Sequence, residues 1–126
     1  GCDIETPLSF HNAQSFRNLK IRNNVHIGRE CFFDLREKIE IGDNAVISMR
    51  CTFITHQDLN KSDLSKKYPA VSAPVLIGRN VYIGAGATIL HGVQIGDNSI
   101  IGASALVIKN IEPNTKAVGI PAKACL

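Results

Sequence analysis

Large aliphatic or aromatic residues recur at every sixth position through most of the chain, and this period excludes the commonest folds. The series runs Ile21, Ile27, Phe33, then Ile41, Ile47, Phe53, then Ile77, Ile83, Ile89, Ile95, Ile101, Val107. An amphipathic helix needs apolar residues every three or four positions, and a sheet of hairpins needs turns between alternating runs. Neither fits. Six of the twelve positions are followed by glycine, at Gly28, Gly42, Gly78, Gly84, Gly96 and Gly102. Two residues before most of them stands a smaller inward candidate, such as Val25, Cys31, Ala45, Cys51, Val81, Ala87 and Ala105.

A period of six fits short strands that point alternately in and out and then turn a corner, with glycine expected where the backbone bends. Three sides close one triangular coil, so the twelve hexads predict about four stacked coils paired in parallel. The fold expected is all-β, a parallel β-helix in one domain. Residues 21–53 and 75–107 form its coils, 1–20 an unassigned lead-in and 108–126 a C-terminal segment.

The register breaks twice. From Phe33 to Ile41 the step is eight, so 34–38 must bulge at a corner. From Phe53 to Ile77 lies a polar excursion carrying Asp58, Asn60, Lys61, Asp63, Lys66, Lys67 and Pro69. A stretch of that length inside a solenoid is expected to leave it as one protruding loop, 54–74, of the kind that carries function.

Composition narrows the class further. With 126 residues and 44% apolar content the chain is the size of one domain. It holds no apolar run long enough to span a bilayer and no signal-peptide pattern at its start, so a cytoplasmic location is expected. A charge of +3, well interspersed, does not mark a nucleic-acid binder but favours anionic ligands when multiplied in an oligomer. Cys2, Cys31, Cys51 and Cys125 lack the spacing of a metal or disulfide framework and read as reduced thiols, with Cys31 and Cys51 filling the core.

The Ile-Gly hexads, the segment VLIGRNVYIGAGATILHGVQIGDNSIIGASALVIKNI and the ending EPNTKAVGIPAKA resemble the hexapeptide-repeat acetyltransferases, in the branch of galactoside, maltose, xenobiotic and polysaccharide O-acetyltransferases. The resemblance implies a left-handed β-helix, assembled as a homotrimer, with acetyl-CoA in the groove between neighbouring prisms. It implies direct acetyl transfer to a saccharide hydroxyl, with His56 in FITHQD as the general base. Histidine suits that task because its ordinary pKa lies near neutrality.

On the cofactor side, Gly84 and Ala85 in YIGAG and Gly102 and Ala103 in IGASA match the family turns that admit the pantetheine arm, although small residues also make tight corners. Lys109 and Lys123 match basic residues near the nucleotide end of CoA, where phosphates need positive charge. Ile108 stands where sugar-specific members carry threonine, so one hydrogen bond to the cofactor is absent. Asp34 and Arg36 in CFFDLREK fall where the family places acceptor-binding groups, or else are ordinary corner charges.

Three other readings stay open. The same fold acetylates an amine on a nucleotide-linked amino sugar in some members. His91 in ILHG resembles a zinc ligand of the γ-class carbonic anhydrases, but such a site needs three protein ligands, and only His26 and His56 are candidates for recruitment. No metal is therefore assigned. A solenoid without catalysis is the third reading, disfavoured by the presence of His56, Lys109 and Lys123.

Overall fold

The computed structural model describes residues 1–125 as a three-faced solenoid. The first coil holds β1 (Asp3–Ile4), β2 (Ser9–His11) and β3 (Leu19–Ile21); the second holds β4 (His26–Ile27), β5 (Phe32–Asp34) and β6 (Ile39–Ile41). In the third, β7 (Val46–Ile47) and β8 (Thr52–Phe53) precede an arm of β9 (His56–Gln57) and β10 (Val71–Ser72), and β11 (Val75–Ile77) closes the coil. Then come β12 (Tyr82–Ile83), β13 (Thr88–Ile89) and β14 (Gln94–Ile95), followed by β15 (Ile100–Ile101) and β16 (Leu106–Val107). The strands β17 (Lys116–Val118) and β18 (Lys123–Ala124) end the fold.

One face stacks β1, β4, β7, β12, β15 and β17 in parallel. The second stacks β2, β5, β8, β13 and β16, and the third β3, β6, β11 and β14, extended by a bridge from Ile95 to Ile111. The coil count exceeds the expected four. The residues before Ile21 form a full coil of their own, and β17 begins another beyond the last hexad.

The six-residue period becomes three inward columns. Ile4, Ile27, Ile47, Ile83, Ile101 and Ala117 rise along the first face. Phe10, Phe33, Phe53, Ile89 and Val107 rise along the second. Ile21, Ile41, Ile77 and Ile95 rise along the third. Phe33 and Phe53 stack at 5.0 Å between ring centroids, and Phe10 lies over Phe33 at 5.8 Å. All four cysteines are free, and Cys31 and Cys51 are buried in this core as expected.

The glycines that follow the isoleucines do not take the bend expected of them. They permit close stacking of coils: a Cβ on Gly28 would stand 2.6 Å from the Met49 nitrogen, and one on Gly84 2.5 Å from the Ala103 nitrogen. At one corner the left-handed bends fall instead on a column of asparagines, Asn24, Asn44, Asn80, Asn98 and Asn114, with φ between 54° and 60°, and at the next corner on Glu30, Arg50, Gly86 and Ser104. Asparagine tolerates this region better than other side chains, and here the amides bond along the column, Asn24 to Asn44 at 2.8 Å and Asn80 to Asn98 at 3.0 Å.

Candidate active site

The eight-residue step after Phe33 builds the centre of the site. It lengthens the corner after β5, so that Leu35 tucks inward, almost fully buried, and donates its N–H to the His11 carbonyl at 2.8 Å. Asp34, beside it, is covered by the root of the arm and is only 1% exposed. On the next coil the chain leaves the prism after β8, and Thr55 and His56 fall directly over Asp34.

His56 Nδ1 lies 2.5 Å from Asp34 Oδ2. The same oxygen accepts the Thr55 N–H at 2.9 Å and lies 3.0 Å from Thr55 Oγ1. Asp34 Oδ1 accepts from Asn12 Nδ2 at 3.0 Å and from the Arg36 N–H at 3.2 Å. Burial alone would raise the Asp34 pKa, but the Thr55 N–H, His56, Asn12 and the Arg36 N–H together hold the carboxyl well below the usual carboxylate range. The ionised Asp34 fixes the proton of His56 on Nδ1, which leaves Nε2 as the basic nitrogen of a ring whose side chain is 20% exposed.

Asp34 is therefore not an acceptor-contacting charge, as the sequence led us to expect. Its oxygens are occupied by internal donors, among them the Thr55 N–H and Asn12, and His56 lies against it. Arg36 is exposed on the same corner, with only its backbone N–H engaged by Asp34. Three participants escaped the sequence reading. His11 stacks on His56 with centroids 5.9 Å apart and planes at 15°, Asn12 braces Asp34, and Thr55 ties Asp34 to the arm. His11 and Asn12 lie in the lead-in, where no hexad signalled a coil. The hydroxyl of Thr55 carried no pattern at all.

The remaining residues fall on two edges of the prism. Ile108 and Lys109 follow β16 on the same edge as His56, two rungs along; at the usual strand spacing of about 4.8 Å this is roughly 10 Å. Both are exposed. Lys123 lies in β18, which folds back antiparallel on β17, and the adjacent Ala122 N–H bonds the Leu106 carbonyl. Neither Lys109 nor Lys123 has an ion-pair partner among the described residues. Gly84, Ala85, Gly102 and Ala103 stack on the other edge of the second face, with the Gly84 N–H on the Ile101 carbonyl. One chain thus carries His56 and the Gly84 and Gly102 corners on separate edges.

His91 stands between the Thr55 and Lys109 rungs, half-buried, its Nδ1 sequestered without a hydrogen-bond partner. No group of three His, Cys, Asp or Glu side chains suited to a metal ion gathers among the described residues of one chain.

These features define a hexapeptide-repeat solenoid with a buried Asp–His pair at one corner. Residues 74–109 match the family described as bacterial transferase hexapeptide (six repeats). The chain is 38% identical to the galactoside O-acetyltransferase of Escherichia coli K12 over 107 residues, which is 80% of this chain and 53% of that protein. It superposes on a galactoside acetyltransferase in complex with coenzyme A at a TM-score of 0.86 and 32% identity, covering 99% of this chain and 63% of the other. A 2,3,4,5-tetrahydropyridine-2,6-dicarboxylate N-acetyltransferase of Enterococcus faecalis matches at 31% identity over 115 residues, 71% of this chain and 49% of that one. The chain belongs to the hexapeptide-repeat acetyltransferase family. A rigid superposition cannot match coils of opposite hand, so this chain winds with the same hand as that structure. The chain spans about half to two thirds of the length of these proteins.

Proposed function

We propose that the protein transfers an acetyl group from acetyl-CoA to the hydroxyl of a saccharide, directly and with His56 as general base. The observation that carries this is the 2.5 Å contact between His56 and the ionised, buried Asp34. Acetyl-CoA supplies the acetyl group as an activated thioester, and coenzyme A in the related galactoside enzyme supports that choice. His56 Nε2 takes the hydroxyl proton as the acceptor oxygen bonds to the acetyl carbon. It then returns that proton to the departing sulfur, while Asp34 balances the transient imidazolium. Gly84, Ala85, Gly102 and Ala103 would admit the pantetheine arm, Ile108 would flank it without a hydrogen bond, and Lys109 and Lys123 would hold phosphates.

Replacing His56 with alanine should lower kcat by about 10²–10⁴-fold while acetyl-CoA still binds in a calorimetric titration. A variant that keeps most of its turnover sinks the base assignment. Transfer to an amine is the second reading, favoured by the N-acetyltransferase relative. Mild alkali separates the two, since it releases acetate from an ester product and not from an amide.

The working unit we infer is a homotrimer. Val46, Tyr82 and Ile100 form an exposed apolar column up the first face, 37%, 43% and 45% exposed. The Gly84 and Gly102 edge borders that face, so a neighbour packed there would stand beside it. A cytoplasmic location fits this reading, and no helix among the described residues is long and apolar enough to cross a membrane.

A further inference from the structure

A cleft of about 450 Å³ lies beside the Asp–His pair, lined by Asn12, Gln14, Ser15, Arg17, Asn18, Leu35 and Arg36. It borders the pair directly, because Asn12 both lines the cleft and braces Asp34, and the preceding His11 stacks on His56. Two of the lining residues are arginines, and none is acidic. The nearest acids are engaged elsewhere. Asp34 is buried under four partners, and Glu37 Oε1 accepts from Ser72 Oγ at 3.1 Å. Neither arginine has an ion-pair partner among the described residues.

The two arginines are also held in register. Arg17 sits in a short 3-10 turn, Phe16–Asn18, and its Nε lies 3.3 Å from Ser15 Oγ. Asn18 Nδ2 bonds the Leu35 carbonyl at 2.9 Å and reaches the Arg36 carbonyl at 3.4 Å, so the turn bearing Arg17 is tied to the corner bearing Arg36. Two like charges fixed around one space repel each other unless an anion lies between them. The planar forks of arginine suit a carboxylate or a phosphate.

We propose that this cleft binds an oxyanion of the acceptor, through Arg17 and Arg36, so that the substrate is an acidic saccharide rather than a neutral one. This rests on the acetyl-transfer reading for the word acceptor, but not for the binding itself. The anion has two sources, a carboxylate on the sugar or a diphosphate on an activated sugar. The phosphates of coenzyme A are a separate matter, since Lys109 and Lys123 stand coils away at the opposite end of the prism.

The test is a binding titration without acetyl-CoA, using methyl glucuronide, methyl glucoside and uridine diphosphate as probes. At least one anionic probe should bind about tenfold or more tightly than the glucoside, weaken with added salt, and lose about tenfold or more of its affinity in R17Q or R36Q. Tighter glucuronide than uridine diphosphate assigns a carboxylate, and the reverse order assigns a diphosphate. Absence of binding by both anions, parity with the glucoside, or unchanged affinity in both variants overturns the proposal. A parallel acetyl-CoA titration keeps the two readings apart. Loss of acetyl-CoA binding in R17Q and R36Q would give the cleft to coenzyme A and overturn the acceptor assignment. Failure of acetyl-CoA to bind the unaltered protein would sink acetyl transfer while leaving the anion result readable.

Discussion

The chemistry converges on one buried carboxylate. Asp34 is ionised inside the protein because four donors outweigh its desolvation, and the sign of its pH dependence follows. A carboxyl held below its ordinary value, about 3.9 for aspartate, stabilises the fold fully above that value. The contribution fades as pH falls below about 4 toward the depressed value. The urea midpoint of D34N should therefore lie below that of the unaltered protein at pH 5, and the gap should close in more acid solution. A gap independent of pH would remove the ionised carboxylate from the account. At neutral pH the same variant should lose about 10²-fold or more in kcat, since an amide no longer fixes the His56 proton or balances its charge. D34A goes further, because buried donors such as the Thr55 N–H then lose their acceptor at about 1–3 kcal/mol each.

At the scale of the strand and corner, the period of six carried the architecture and misassigned some of its parts. It placed Phe33, Phe53 and Ile89 inside correctly, because inward positions of stacked rungs must be apolar in every coil. Ser9, Phe10 and His11 form an equally regular rung, yet the preceding side has only Ile4 and the following one a 3-10 turn, so no run of hexads announced it. The glycines were seen and given the wrong cause. A sequence shows that Gly84 lacks a side chain but not that the Ala103 backbone, on the next coil, occupies the space. G84A should accordingly lower the melting temperature even though its φ suits alanine. Asn98, by contrast, should accept glycine with little loss, while N98V should cost about 1–2 kcal/mol for a left-handed corner. F53A should cost about 3–5 kcal/mol in chemical denaturation, as the ring column loses its middle member. The Asp34–His56 pair was legible as two candidates in two segments. That they touch follows from the extra residues at 34–38 and from the exit of the arm on the next rung, a coincidence of three-dimensional register.

For the molecule as a whole, the separation of the His56 edge from the Gly84 and Gly102 edge makes assembly part of the proposed chemistry. Y82E and I100E place charges in the exposed column of the first face. Native mass spectrometry should find monomers in place of trimers, and turnover should fall with them. A trimer that survives both changes would move the interface elsewhere. The strand directions carry a different consequence. A solenoid of parallel rungs ends in an open edge at each pole, and such an edge is a template on which another copy could add, rung upon rung, into a fibre. At one pole β18 runs against the grain of the five strand steps before it, with Lys123 facing Val118, so an incoming parallel rung meets a reversed strand. On that face the hexad repeat is thus stopped, and growth without limit, the hazard built into any repeating coil, is denied a surface on which to begin.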